Sequence, residues 1–153
     1  MYKRNSGKKG PVTSKKVVCD GVEFKSGLEK NMHLALKDEG VEHTYEGKTF
    51  MLHNKFFFPN ICYERQANGK GEFMDRGNGN INDIKYTPDF VGDGFIIECK
   101  GRPNDAFPIR WKLFKKHMAD LHSSIMIFKP QCKDECIRTA QIIKQIQKLK
   151  EKK

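Results

Sequence analysis

The chain has 153 residues, 29 Lys and Arg against 19 Asp and Glu, and a formal net charge of +10. That length fits one domain better than two. With 37% hydrophobic residues, 31% charged and 11 Phe, there is material for a core, and disordered, collagen-like, coiled-coil and disulfide-scaffold chains are excluded.

Residues 1 to 20 read as a basic flexible arm with one short strand at its end. The first 18 residues carry six basic groups, Lys15 and Lys16 among them, and no acid. A core domain is expected over residues 21 to 130. Ser26-Gly27-Leu28-Glu29 offers a capping box, Leu28, Met32 and Ala35 follow at helical spacing, and Gly40 is a stop, so a helix is predicted over about 26 to 39. Val41 to Tyr63 turns β-like, enough for two strands broken near Pro59. Residues 66 to 83 are rich in Gly and Asn and read as a long loop. Ile84 to Val91, a Gly92-Asp93-Gly94 turn and Phe95 to Lys100 form a hairpin. Ile109, Leu113, Phe114, Met118 and Leu121 mark a helix, and residues 124 to 128 a short buried strand, joined to the hairpin by a parallel crossover. Ile137, Ala140, Ile143 and Ile146 mark a last helix within a basic C-terminal segment over 131 to 153. The expected fold class is α/β, a mixed β-sheet flanked by helices.

The two basic ends enclose a stretch, residues 19 to 136, whose charges sum to −1. Basic arms point to a polyanion, because Lys and Arg placed on phosphates release condensed counterions. Nucleic acid is the first expectation; a membrane surface or plain solvation are the alternatives. No apolar run approaches the roughly 18 residues of a spanning helix and no export signal follows the charged start, so a soluble, cytoplasmic protein without a membrane partner is expected. Five cysteines, an odd number, exclude a full disulfide framework and point to reduced thiols, with no disulfide-linked partner.

The chemistry concentrates at the hairpin. Asp89 stands near the end of its first strand, and Glu98, Cys99 and Lys100 end its second. Side chains alternate along a strand, so Glu98 and Lys100 share one face while Cys99 faces the core. Two carboxylates and an ammonium group suit Mg2+, which takes oxygen ligands at about 2.0 to 2.1 Å, commonly one or two carboxylates with waters and phosphate oxygens. Asp89 and Glu98 are the candidate metal ligands, with the Cys99 carbonyl as a third and Mn2+ as a substitute ion. Lys100 is placed to hold a hydroxide or a phosphate. A structural Asp89 and a solvated Glu98/Lys100 pair would carry the same sequence.

Thr87-Pro88-Asp89-Phe90 and Ile97-Glu98-Cys99-Lys100-Gly101 resemble the PD-(D/E)XK nuclease superfamily, and Phe24-Lys25-Ser26-Gly27-Leu28-Glu29 resembles its phage endonuclease I-type Holliday-junction resolvases. The resemblance covers about residues 22 to 128. It implies a restriction-endonuclease-like αβββαβ core followed here by the C-terminal helix. It also implies Mg2+-dependent cleavage of DNA, with Asp89, Glu98, Lys100 and Glu29 as catalytic residues and Glu29 completing the metal site. By resemblance alone the source is a phage and the location the host cytoplasm. Residues 55 to 85 have no counterpart in that pattern, so another small phage branch fits about as well. Glu29 has a second expected role as the N3 residue of the Ser26 cap, and Glu46 is a further acidic candidate.

Arg102, Arg110, Lys112, Lys115 and Lys116, with Lys15 and Lys16, are the candidate DNA-backbone contacts, positioning a duplex without reading its sequence. His117, His122, Cys132 and Cys136 match zinc spacing superficially, but positions five apart on a helix face different ways. The expected function is a Mg2+-dependent endonuclease selective for branched DNA, working as a homodimer because a junction needs two symmetric cuts. The alternatives are a nuclease of linear duplex DNA, in host-DNA degradation or restriction, and a non-catalytic nucleic-acid-binding protein.

Overall fold

The computed structural model describes residues 14 to 102, 104 and 106 to 152. The expected basic arm lies outside the described residues as far as residue 13. The described chain is α/β, with three helices and a set of small sheets, and it divides into two compact units that interleave along the sequence.

The first unit holds residues 14 to 43, 97 to 102 and 127 to 152. Strands β1 (Val17–Cys19) and β2 (Val22–Phe24) pair antiparallel through Val17↔Phe24 and Cys19↔Val22. The Asp20-Gly21 turn has φ of 51° and 77°, the two positive values of the tight hairpin turn whose twist suits paired strands. Helix α1 (Gly27–Asp38) starts at the Ser26 N-cap. It ends in a Schellman motif: Val41 N–H donates to the Leu36 carbonyl at 2.8 Å and Gly40, φ 61°, donates to Lys37 at 3.0 Å. Met32, Ala35 and Leu36 line its buried face, which packs on β1, β2 and helix α3 (Lys133–Glu151). From α3 the buried side chains are Cys136, Thr139, Ala140 and Ile143.

A chain of hydrogen bonds ties the hairpin turn to α1. The Asp20 carboxylate accepts from Lys37 Nζ (2.7 Å) and His33 Nε2 (3.0 Å), His33 Nδ1 meets His43 Nε2 (2.8 Å), and His43 Nδ1 donates to the Val41 carbonyl (2.8 Å). The carboxylate and the carbonyl only accept, so the three imidazole contacts need three N–H groups, one more than two neutral rings carry. Burial pushes His43 below its usual pKa.

The second unit holds Thr44–Ile96 and, after the segment 97 to 102, residues up to 126. Strand β3 (Thr44–Tyr45) pairs antiparallel with β10 (Phe90–Gly92). Between them runs a two-stranded antiparallel ribbon: β4 (Phe50–His53) with β9 (Ile84–Tyr86), β5 (Phe56–Phe58) with β8 (Gly79–Ile81), and β6 (Tyr63–Glu64) with β7 (Met74–Asp75). Helix α2 (Phe107–Asp120) packs on β4. Its Phe114 is fully buried against Phe50, Tyr86 and Trp111, at ring separations of 5.2, 4.5 and 5.8 Å.

Strands β11 (Phe95–Ile97) and β12 (Met126–Phe128) complete a four-stranded sheet in the order β12-β11-β10-β3. Met126 donates to Gly94, Glu98 to Phe128 and Lys100 to Pro130; the partner numbers rise together, so β11 and β12 run parallel, and the sheet is mixed.

Several expectations shift. The one short strand expected before Val22 is β1, and it pairs with an unexpected strand, β2. The two strands expected over 41 to 63 are four short ones, and the loop expected over 66 to 83 contains β7 and β8: Asn68, Gly69, Gly71 and Asn78 stand in turns and bends, while Gly79 and Asn80 pair in β8. Ile84 to Val91 is not one strand: buried Pro88, which has no N–H for a ladder, separates β9 from β10, and the two pair with different partners. On α2, Ile109, Leu113 and Leu121 are exposed, and Phe107, Trp111, Phe114 and Met118 form the buried stripe.

Candidate active site

Glu98, Cys99 and Lys100 continue β11 beyond its last residue, Ile97. Glu98 N–H donates to the Phe128 carbonyl at 3.0 Å and Lys100 N–H to the Pro130 carbonyl at 3.1 Å. Residues two apart that bond the same neighbouring strand present their side chains to the same face. Glu98 and Lys100 therefore share a face and Cys99 takes the other, as the alternation requires. Cys99 is buried, and its thiol hydrogen-bonds Cys136, which holds the Cys136 pKa below the usual thiol value against the opposing effect of burial. This is a core contact rather than an exposed nucleophile. None of the five cysteines is in a disulfide.

Glu29 enters the same unit from the first turn of α1. Its Oε1 accepts from Ser26 Oγ (2.8 Å) and its Oε2 from the Lys25 N–H (2.9 Å), while Ser26 Oγ accepts the Glu29 N–H at 3.2 Å. Ser26 caps the helix as expected, but the Glu29 carboxylate reaches back to the Lys25 N–H, one residue before the N-cap, in a variant of the capping box. The start of α1 also touches the end of the Glu98–Lys100 strand. A Cβ added at Gly101 would stand 4.0 Å from Leu28 Cδ2 and 3.8 Å from the Gln131 carbonyl, and Cys136 Sγ donates to the Leu28 carbonyl at 3.9 Å. Leu28, Gly101 and Cys136 thus bring the two acidic segments of this unit together.

Asp89 belongs to the second unit, one residue before β10. Its carbonyl accepts the N–H of Glu46 at 2.8 Å, and Glu46 itself turns the chain at φ 48°. Beside it, the Thr87 and Thr49 hydroxyls are 2.7 Å apart. Glu29, Asp89 and Glu98 are 6 to 9% exposed, unusual burial for carboxylates, which stay buried only when paired, hydrogen-bonded or bound to metal. Their chemistry, oxygen donors without an imidazole among them, fits a hard cation such as Mg2+. Among the described residues, no group of three or more His, Cys, Asp and Glu side chains is arranged to hold a metal.

The candidate backbone-contact residues are all exposed. On α2, Lys112, Lys115 and Lys116 lie three and four residues apart on one face, while Arg110 is rotated away from them. Lys115 Nζ stands 5.7 Å over the Trp111 ring, and Lys116 pairs with Asp120 at 2.8 Å. Lys16 pairs with Glu23 at 2.7 Å. Such exposed pairs hold at most about 1 kcal/mol, so a phosphate can replace the carboxylate. His117 sits on α2 and His122 lies past its end at φ 49°.

Sequence reading did not find the Asp20–His33–His43 chain, whose members are up to 23 positions apart in no recognisable motif. It also missed the exposed aromatic side chains of the ribbon, for which the run Phe56-Phe57-Phe58 was a signal read as strand propensity alone.

No family model, no curated protein and no solved structure matches the chain. No helix among the described residues is long and apolar enough to cross a membrane.

Proposed function

We propose that the chain is a Mg2+-dependent endonuclease that hydrolyses phosphodiester bonds in DNA, selecting branched, four-way structures and acting as a homodimer in the cytoplasm. The observation that carries the reading is the buried Glu98 and the half-buried Lys100 on one face of a strand pinned at both residues to its neighbour, in a chain of net charge +10. The likeness of the Pro88-Asp89 and Glu98-Cys99-Lys100 segments to the PD-(D/E)XK nucleases adds the reaction class.

In this reading Asp89, Glu98, the Cys99 carbonyl and Glu29 hold the ion. When bound, it supplies Lewis acidity at the scissile phosphate and lowers the pKa of an attacking water. Lys100 offsets the negative charge that develops on the phosphate as water attacks in line. Burial of Glu98 keeps its carboxylate fixed rather than free to rotate, so little reorganisation is needed when the substrate arrives. Arg102 holds the scissile phosphate, and Arg110, Lys112, Lys115 and Lys116, with Lys15 and Lys16, position the backbone.

One observation favours a rival: both Glu29 oxygens are engaged by the cap, as a non-catalytic nucleic-acid-binding protein with structural acids would have it. Cleavage of linear, nicked and four-way DNA with Mg2+ and with EDTA separates the readings. The proposal expects Mg2+-dependent cutting, fastest on the four-way substrate, and its loss in Asp89→Asn and Lys100→Ala chains. Preference for linear duplex would move the substrate to the restriction or degradation class. Tight, salt-sensitive binding with no cutting would leave only the binding protein.

A further inference from the structure

Asp89 sits in a gap between two ladders. Strand β3 pairs with β10 as far as Tyr45↔Phe90, and β4 pairs with β9 as far as Phe50↔Tyr86. Four residues, Glu46 to Thr49, therefore face three, Thr87 to Asp89. One extra residue on one strand is a β-bulge, a device that re-aims side chains and is enriched beside active sites. Glu46 turns the chain there at φ 48°, a left-handed value that a non-glycine residue keeps only where its surroundings impose it. Gly47 beside it has no room for a side chain, since an added Cβ would stand 2.7 Å from the Thr44 Cβ.

The bulge grips the segment that carries Asp89. Pro88 has no N–H to offer a neighbouring strand, so residues 87 to 89 cannot complete a regular ladder. Two clasps reach across the gap. The Glu46 N–H donates to the Asp89 carbonyl at 2.8 Å, and the Thr49 and Thr87 hydroxyls meet at 2.7 Å. The first holds Asp89 itself, and the second holds the chain on the other side of Pro88. Just beyond, Thr44 Oγ1 donates to the Val91 carbonyl at 3.2 Å. Pro88 and Phe90 are fully buried, which anchors the backbone on either side of Asp89, and the clasps fix its rotation about that line. The buried Asp89 carboxylate is thereby presented in one direction. Functional constellations need their groups held within about 0.5 Å of the productive geometry by such supports.

We propose that the bulge of residues 46 to 49 positions Asp89 for the ion, with Thr49 and Thr87 as positioning residues that are not themselves ligands. The proposal rests on the reading of Asp89 as a metal ligand. Both hydroxyls are neutral, engaged with each other and exposed, and an exposed hydrogen bond adds only modestly to folding. Its loss is therefore expected to register at the ion and not in the melting temperature.

The test is Mn2+ binding to the full chain, followed by electron paramagnetic resonance of the free ion, in wild type, Thr49→Val, Thr87→Val, the double Val variant and Thr49→Ser. Valine keeps the branched shape and removes the hydroxyl. Each single Val variant is expected to bind Mn2+ about tenfold more weakly, the low end for removing a hydrogen-bonded support behind metal ligands, while melting close to wild type. The double variant is expected to match the singles, because all three lose the same contact, and Thr49→Ser to bind as wild type does. Wild-type affinity in both single Val variants overturns the proposal. So do additive losses in the double variant, which would give the hydroxyls separate roles, and a loss that Thr49→Ser fails to recover. Mg2+-dependent cleavage of four-way DNA by the same samples tells this failure from that of the nuclease reading. If wild type binds Mn2+ and cuts, and the Val variants do so equally well, the positioning role alone falls. If wild type binds Mn2+ without cutting and the Val variants bind more weakly, the nuclease falls and the positioning role stands. A wild type that neither binds nor cuts removes both.

Discussion

Ser26 and Glu29 allow the helix cap to be separated from the proposed chemistry. Replacing Ser26 by Ala removes an acceptor for the Glu29 N–H and a donor to Glu29 Oε1, contacts of 3.2 and 2.8 Å. Loss of an N-cap costs about 1 kcal/mol, and loss of a hydrogen bond to a buried carboxylate costs about 1.5 kcal/mol or more. The sum is about 2 to 3 kcal/mol, or roughly 5 to 10 °C in Tm for a chain of this size. Glu29→Gln behaves differently. Its amide oxygen takes the Lys25 N–H, its amide nitrogen donates to Ser26 Oγ, and the box survives without its charge, so the expected cost is below about 1 kcal/mol. Cleavage of four-way DNA per folded molecule falls about 100-fold in Glu29→Gln, the scale of losing support at a metal site. Scanning calorimetry and single-turnover cleavage on both variants read the two effects independently. A Ser26→Ala chain that melts within 1 °C of wild type would refute the cap energetics. Glu29→Gln that melts many degrees lower yet cuts at the wild-type rate would make Glu29 structural only.

Phe114→Ala opens a cavity among Phe50, Tyr86 and Trp111 and costs about 3 to 5 kcal/mol, whereas Ile109→Ala, exposed on the same helix, stays within about 0.5 kcal/mol; urea titrations of both check this. Stability declines as pH falls below about 6.5: burial holds folded His43 below its unfolded pKa, so the unfolded chain takes up the proton first. A second limb follows below the model-peptide value of 3.8 for Asp20, whose folded pKa is lowered by the Lys37 hydrogen bond first and the His33 hydrogen bond second. Tm measured against pH shows both limbs, and His43→Gln removes the upper one only. Gly77→Ala forces a Cβ into the Asn60 carbonyl; it should disorder the ribbon near β6 and β7, seen as hydrogen exchange localised there, and identical exchange would contradict the packing.

Local physics made much of the chain legible without coordinates. Ser26 and Gly40 delimit α1 because a cap and a left-handed stop act within one turn of the residues that carry them. Glu98 and Lys100 share a face, with Cys99 turned away, because alternation is a property of any extended strand. The two basic ends and the odd cysteine count are matters of composition. Tertiary structure decided the rest, wherever a residue's role depends on a partner distant in sequence. Pro88 divides β9 from β10 because each finds its partner elsewhere, in β4 and β3, and no local pattern names that partner. The buried stripe of α2 runs through Phe107, Trp111, Phe114 and Met118 rather than Ile109 and Leu121, since burial is set by what β4 and β9 present to the helix. Asp20, His33 and His43 meet only because the hairpin folds onto α1, and the ribbon's aromatic side chains are exposed where, among the described residues, no third strand covers them. Periodicity reports which side of an element a residue occupies; what lies on that side is fixed by long-range pairing, which the linear sequence does not display.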